Sequence, residues 1–288
     1  MAKSSAPGGG LSAWPQKDLI GLQGVSADLL RSLLTTARKY SSVTRRLDQP
    51  PLAGHNVANL FFEDSTRTRT SFTIAVQRLG ASVANLSAQA SSLSKGETLI
   101  DTARNVEAMG IAAMIVRAKQ AGAAAMIARS VKCPVINAGD GQHEHPTQGL
   151  LDTYTLAEGL GRLDGFDLTG LTVAVVGDVV SSRVARSAIA GMTTLGAKVV
   201  CVGPAGLAPK SLEALSSTGL CRVSHDLDAV LPDADAVMML RVQFERHGGN
   251  SPSSGAEGIA PAKNSPAIAS IREYREFFGM TSSRAARL

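Results

Sequence analysis

The segment Phe61-Phe62-Glu63-Asp64-Ser65-Thr66-Arg67-Thr68-Arg69-Thr70-Ser71-Phe72 concentrates more chemistry than any other stretch of this chain. An apolar run ends there, and a hydroxyl-rich turn opens a helix. The first N–H groups of a helix have no partner within it and attract anions. Ser65, Thr66 and Thr68 add hydroxyl donors, and Arg67 adds a planar cation suited to phosphate. An isolated Ser-Thr pair does no more than cap a helix while nearby arginines stay solvated. Arg67, however, stands inside the first turn, where the helix dipole prefers an acid. A bound anion would relieve that conflict.

Four further places carry similar donors. Arg117 ends the apolar run Ala112 to Val116, at the C-terminal edge of a predicted strand, where ligands of open α/β sheets gather. His145-Pro146-Thr147-Gln148 begins a helix, with Pro146 suited to its first turn. A lone histidine there is more often a cap than a catalytic group. Val173 to Val176 leads through Gly177-Asp178-Val179-Val180-Ser181-Ser182 into Arg183, and Ala236 to Leu240 leads into Arg241-Val242-Gln243-Phe244-Glu245-Arg246. The Gly-x-Gly-x-x-Gly spacing of a dinucleotide fingerprint is absent. Glu245 and Arg246 fit an exposed, salt-bridged strand end; Arg241 fits that description less well. Ser91 to Thr98, taken alone, is an ordinary polar loop containing Gly96.

The elements that must position these residues alternate in type. Ser26 can cap a helix through Leu29, Leu30, Leu33 and Leu34, ending near Arg45 and Arg46. Strands are predicted at Val57 to Phe62, Ala112 to Val116, Val135 to Asn137, Val173 to Val176, Lys198 to Val202 and Ala236 to Leu240. Helical patterns lie between them. Phe72, Ala75, Val76 and Leu79 share one helical face, and Gly80 follows as a stop. This alternation predicts an α/β protein of two domains, each a mainly parallel sheet flanked by helices. The division falls near the helix from Pro146 to about Gly159. Residues 1–16 read as a disordered, Gly-rich tail, and Gly248 to Pro266 as a flexible surface loop.

The chain has 288 residues, enough for two domains of ordinary size, and a net charge of +5. Its arginines are scattered among separate motifs instead of clustering on one element. That argues for anion binding at a site and against nucleic-acid binding. Cys133, Cys201 and Cys221 are far apart in apolar stretches without metal-ligand spacing, as buried free thiols would be. No apolar run approaches a membrane span and no signal peptide is visible, so the expected location is the cytoplasm.

Ser65-Thr66-Arg67-Thr68-Arg69 after an apolar strand resembles the carbamoyl-phosphate motif of the aspartate and ornithine carbamoyltransferases. The resemblance runs from about Asp18 to Leu288. It implies a carbamoyl-phosphate-binding domain over 17–148 and an aspartate-binding domain over 149–288. It implies that Ser65, Thr66, Arg67, Thr68, Arg117, His145 and Gln148 bind carbamoyl phosphate, with Arg67, Thr68, Arg117 and His145 catalytic. Ser91 and Lys95 would lie on a loop serving the neighbouring subunit of a homotrimer. Lys95, Arg183, Arg241 and Gln243 would bind aspartate; two guanidinium groups suit a dicarboxylate. The implied reaction is carbamoyl transfer to L-aspartate, early in pyrimidine biosynthesis, without cofactor or metal. Regulatory or other pathway chains as further partners are left open. The ornithine enzymes' acidic recognition motif and His-Cys-Leu-Pro segment are not visible, which favours aspartate.

Ala118 stands where the family often has histidine, and the Ser/Pro-rich stretch around Ser251 to Ser265 looks longer than usual. The family's His-Pro-x-Pro loop and terminal helix are expected to be missing after Leu288. An alternative expectation is therefore a catalytically impaired subunit with a structural or regulatory role.

Overall fold

The computed structural model of the protein describes residues 16–87, 97–242 and 270–287. Its elements run α1 (Ala27–Tyr40), β1 (Asn56–Phe61), α2 (Thr66–Arg78), β2 (Ser82–Ser87), α3 (Leu99–Ala108), β3 (Ala113–Ala118), α4 (Ala123–Ala128), β4 (Val135–Asp140), α5 (Pro146–Gly159), β5 (Thr172–Val176), α6 (Arg183–Thr194), β6 (Lys198–Val202), β7 (Cys221–Ser224), α7 (Leu227–Val230), β8 (Ala236–Met239), α8 (Ile271–Phe278) and α9 (Ser282–Ala285). The tail up to residue 15 and the Gly248 to Pro266 loop expected from sequence lie outside the described residues.

Two compact units result. The first comprises Met1–Ile20, Ser26–Arg117 and Ala123–Ile136; the second comprises Gly21–Val25, Ala118–Gly122 and Asn137–Leu288. The strands form two four-stranded sheets, one ordered β2-β1-β3-β4 and the other β7-β6-β5-β8. Strand β1 pairs in parallel with β2 and β3, and β5 pairs in parallel with β6 and β8. The α/β architecture of parallel sheets read from the sequence is therefore present.

The winding locates the ligand-binding edge of each sheet. From β1 the chain steps to β2 on one side and then returns to β3 on the other. From β5 it steps through β6 to β7 and then returns to β8. In an open α/β sheet, the crevice beyond the strand C-termini at such a reversal is where ligands bind. The reversals here fall between β1 and β3 and between β5 and β8.

These central strands are buried on both faces. In β1, Val57, Ala58, Leu60 and Phe61 are buried, as are Val173 to Val176 in β5. That burial explains their near-continuous apolar sequences. Strands β2 and β7, which the apolar-run reading did not find, are sheet edges. Ser82 and Ala84 of β2 and Arg222 of β7 face solvent, so the apolar signal is diluted.

Helix α1 starts where expected, with Leu29 N–H donating to the Ser26 hydroxyl. It ends at Tyr40, short of Arg45. Ser41 Oγ donates back to the Arg38 carbonyl at 2.9 Å, one of the local bonds by which serine competes with helix continuation.

Helices α5 and α6 pack closely in the second unit because Gly149 has no side chain. A Cβ there would stand 2.7 Å from the backbone carbon of Ser187. Tyr274 and Phe278 of α8 join a core with Ala174, Val176, Val202, Leu207, Leu227 and Leu231. Cys133, Cys201 and Cys221 are free thiols and buried. Burial pushes the Cys133 thiol up to about 11. Among the described residues no helix is long and apolar enough to cross a membrane.

Candidate active site

In the first unit, β1 runs out at Phe61 and Ser65 becomes the N-cap of α2. Its extended backbone, φ −159° and ψ 95°, is right for a cap, yet its side chain makes no capping hydrogen bond and no acid stands in the first turn. Thr66 and Arg67 are exposed; Ser65 and Thr68 are half-buried. Arg67 has no hydrogen-bond or ion-pair partner among the described residues. Elsewhere caps are made: Ser26, Thr98, Ser182, Ser270 and Thr281 each accept an N–H from the first turn of their helix. The helix start predicted to bind an anion is one whose donors stay unspent.

Arg117, from the end of β3, comes to the same edge. Its guanidinium donates to Thr68 Oγ1 at 3.4 Å and to Glu63 Oε1 at 3.2 Å. Only 11% of the Arg117 side chain is exposed, so the Glu63 contact is a partly desolvated ion pair. Because Thr68 accepts from Arg117, its own hydroxyl proton remains available to a ligand. Glu63 was not singled out from the sequence, although its position one residue beyond a buried strand end was a usable signal.

The second unit holds a denser arrangement. Gly139 has φ +109°, and a Cβ on it would meet Arg183 Nε at 2.9 Å and His145 Cδ2 at 3.3 Å. Glycine is thus required both by the backbone and by the two side chains that close over it. Arg183 also donates to the Gly141 carbonyl at 3.1 Å. The structure therefore brings His145 and Arg183 together.

Under them lies a buried polar scaffold. Asp140, fully buried, accepts from Gly122 N at 2.8 Å, Asn137 Nδ2 at 2.8 Å and Glu144 N at 3.3 Å. His143 Nδ1 lies 3.1 Å from the same carboxylate. Glu144, also buried, accepts from Leu22 N at 2.7 Å, Gln23 N at 3.2 Å and Ser187 Oγ at 2.8 Å. Ser187 Oγ in turn accepts His145 N–H at 2.9 Å. That bond serves the N-cap residue of α5, whose own side chain caps nothing. Thr147 Oγ1 lies 3.4 Å from His145 Nδ1. Asp140, Glu144 and Ser187 were all missed from the sequence.

One turn into α5, Gln148 Nε2 donates to Asp152 Oδ1 at 2.8 Å. Burial holds the Asp152 carboxyl above its usual range, and the Gln148 amide pulls it partly back. Arg183 opens the helix after β5, and Arg241 follows β8, so the two arginines stand beyond neighbouring strand ends at the second sheet's reversal. Arg241 is exposed. Ser91, Lys95 and Gln243 lie outside the described residues.

Residues 17–158 match the carbamoyl-phosphate-binding domain of aspartate/ornithine carbamoyltransferases. Along the sequence, the chain is 48% identical over 275 residues to the aspartate carbamoyltransferase catalytic subunit of Myxococcus xanthus, covering 94% of this chain and 83% of that protein. It is 44% identical over 272 residues to the corresponding subunit of Geotalea uraniireducens, covering 94% and 80%. In structure it is similar to the Trypanosoma cruzi aspartate transcarbamoylase solved with carbamoyl phosphate, with TM-score 0.74, 26% identity and coverage of 96% and 83%. It is also similar to the catalytic subunit of M. Jannaschii aspartate transcarbamoylase, with TM-score 0.70, 33% identity and coverage of 80% and 76%.

Proposed function

The chain belongs to the aspartate/ornithine carbamoyltransferase family, and from that premise we propose that it transfers the carbamoyl group of carbamoyl phosphate to L-aspartate. The aspartate amine attacks the carbamoyl carbon. A C–N bond forms, the C–O bond to phosphate breaks, and the products are N-carbamoyl-L-aspartate and phosphate. The departing phosphate takes the proton released by the amine. The product is an early intermediate of pyrimidine biosynthesis.

The observation that carries this reading is topological. The phosphate-type donors Ser65, Thr66, Arg67, Thr68 and Arg117 fall at the reversal of one sheet, and Arg183 and Arg241 at the reversal of the other. We assign Arg67 and the uncapped start of α2 to the phosphate. Thr68, Arg117 and His145 donate to the carbonyl oxygen as charge grows on it. Gln148 orients the carbamoyl amide. Arg183 and Arg241 each take one aspartate carboxylate, bidentately where geometry allows. Gln243 and Lys95 join the aspartate contacts, and Ser91 with Lys95 serves a neighbouring subunit. Catalysis on this scheme is positioning and polarisation, with no side-chain nucleophile.

We further assign carbamoyl-phosphate binding to residues 17–148 and aspartate binding to residues 149–288, and propose a homotrimer working in the cytoplasm. Relatives named as aspartate carbamoyltransferase catalytic subunits support the choice of aspartate. The test is a direct assay of carbamoyl-aspartate formation by the purified chain, with ornithine and other amines as competitors and sedimentation for the oligomeric state. Saturable product formation from aspartate alone is expected. No turnover, or preference for a cationic amino acid, would overturn the proposal.

A further inference from the structure

We infer that Asp152 is a positioning residue that fixes which end of the Gln148 amide meets the donor substrate, and thereby makes the protein prefer a carbamoyl over an isosteric acetyl group. The inference deepens the proposed carbamoyl transfer and rests on it.

A glutamine amide has two chemically opposite ends of nearly equal size: the nitrogen donates two hydrogen bonds and the oxygen accepts two. Left alone, such a group turns over and serves donors and acceptors alike. Gln148 is not left alone. Asp152 lies one helical turn later on α5, where side chains four residues apart meet. Gln148 Nε2 stands 2.8 Å from Asp152 Oδ1. A carboxylate can only accept, so the nitrogen is the end that faces it.

Turning the amide over would set the Gln148 carbonyl oxygen against the carboxylate, two acceptors in contact in a half-buried setting. The burial of Asp152 sharpens that penalty. Its other oxygen, Oδ2, is buried and has no hydrogen-bond partner among the described residues. The Gln148 N–H is consequently the compensation that carboxylate has within the described side chains, and losing it would leave a buried acceptor group unsatisfied.

With the nitrogen committed, Gln148 Oε1 is the end left for substrate. An exposed acceptor selects a ligand that brings N–H. The carbamoyl group has an NH2 there; an acetyl group has a methyl of nearly the same size and no hydrogen to donate. Asp152 touches neither substrate on this account. It acts through Gln148, and its signature is chemical discrimination, not affinity for phosphate.

The experiment uses the full chain with carbamoyl phosphate, acetyl phosphate and inorganic phosphate as probes. Dissociation constants come from calorimetry, and kcat/KM with aspartate for both acyl donors. Asp152→Leu is compared with Gln148→Leu. Asp152→Leu is expected to lower the carbamoyl-over-acetyl preference roughly tenfold, the worth of one net hydrogen bond, toward that of Gln148→Leu. Inorganic phosphate should bind both variants as it binds the parent. Asp152→Asn, nearly isosteric, guards against a folding failure. Asparagine can offer oxygen or nitrogen, so it should lose part of the preference.

The inference is overturned if either Asp152 variant keeps the parent's preference while Gln148→Leu loses it. It is equally overturned if all three ligands weaken together, which is what a merely structural role would produce. A parent protein with no preference for carbamoyl phosphate would overturn this inference and the carbamoyl-transfer reading together.

Discussion

The two sheets reverse their winding in the same way, but the donor residues of the two units are held differently. At the β1–β3 edge, Arg67 and Thr66 are exposed, Ser65 leaves its cap unmade, and Arg117 is anchored against Glu63 and Thr68. In the second unit, Arg183, which follows β5, and His145, which follows β4, close over Gly139, and the His145 backbone is tied through Ser187 to the buried carboxylate of Glu144. The first region presents charge that a ligand must complete. The second is braced by bonds within the protein. Where side chains are unspent, function and stability should separate on mutation; where the fold braces them, the two should fall together.

The largest expected effect tests the open region. Arg67→Ala should reduce kcat/KM for carbamoyl transfer by about two to three orders of magnitude, as loss of one transition-state donor does. The thermal midpoint should not move, because no hydrogen bond or ion pair among the described residues is lost. Steady-state rates paired with calorimetric melting check both halves. A variant that melts early would show that Arg67 belongs to the fold after all.

Glu144→Ala probes the built region. It leaves Leu22 N, Gln23 N and the Ser187 hydroxyl without their acceptor in a buried place. A loss of about 2–4 kcal/mol of stability is expected from orphaning such groups, together with lower activity, because Ser187 also holds the His145 backbone. Denaturant titration measures the first and initial rates the second. Gly139→Ala should be milder, at about 1–3 kcal/mol for side-chain backbone at positive φ. It also crowds Arg183, so KM for aspartate should rise while carbamoyl-phosphate binding changes less. Equal weakening of both substrates would blur the distinction between the two edges.

How much of this was legible in the sequence follows from what each element is made of. Strands β1 and β5 are buried on both faces and announced themselves as apolar runs; the edges β2 and β7 are partly polar and did not. The donors at both edges were legible because arginine and hydroxyl residues beside a strand end are chemically conspicuous. The scaffold was not. Glu144 meets Ser187 across 43 positions, and Leu22 across 122, and no local pattern encodes a bond of that span. Asp152 was within reach, since it stands four residues beyond Gln148, but an acid on a helix reads first as a solvated charge.

The smallest expected effect supplies the control for the whole contrast, because it concerns arginines that are spent. Arg284 and Arg287, at the end of the described chain, both donate to the Asp228 carboxylate, and Arg284 also donates to the carbonyls of Glu276 and Gly279. The Arg284 hydrogen bond, more than any other influence, holds the Asp228 carboxyl below its ordinary range. A carboxylate depressed in the folded state contributes stability that is present above its unfolded pKa and is lost as pH falls through the folded one. Asp228→Asn should therefore melt slightly below the parent at neutral pH. The gap should close as pH falls below the ordinary carboxylate range, and it should narrow in high salt because the cluster faces solvent. Enzyme rates should be untouched. Melting curves across pH and ionic strength decide the matter. If the gap persists in acid, charge is not what ties the last helical turns to α7. If rates fall with it, surface arginines in this fold cannot be sorted into structural and ligand-binding by whether they already have a partner, and the reading of Arg67 loses its footing.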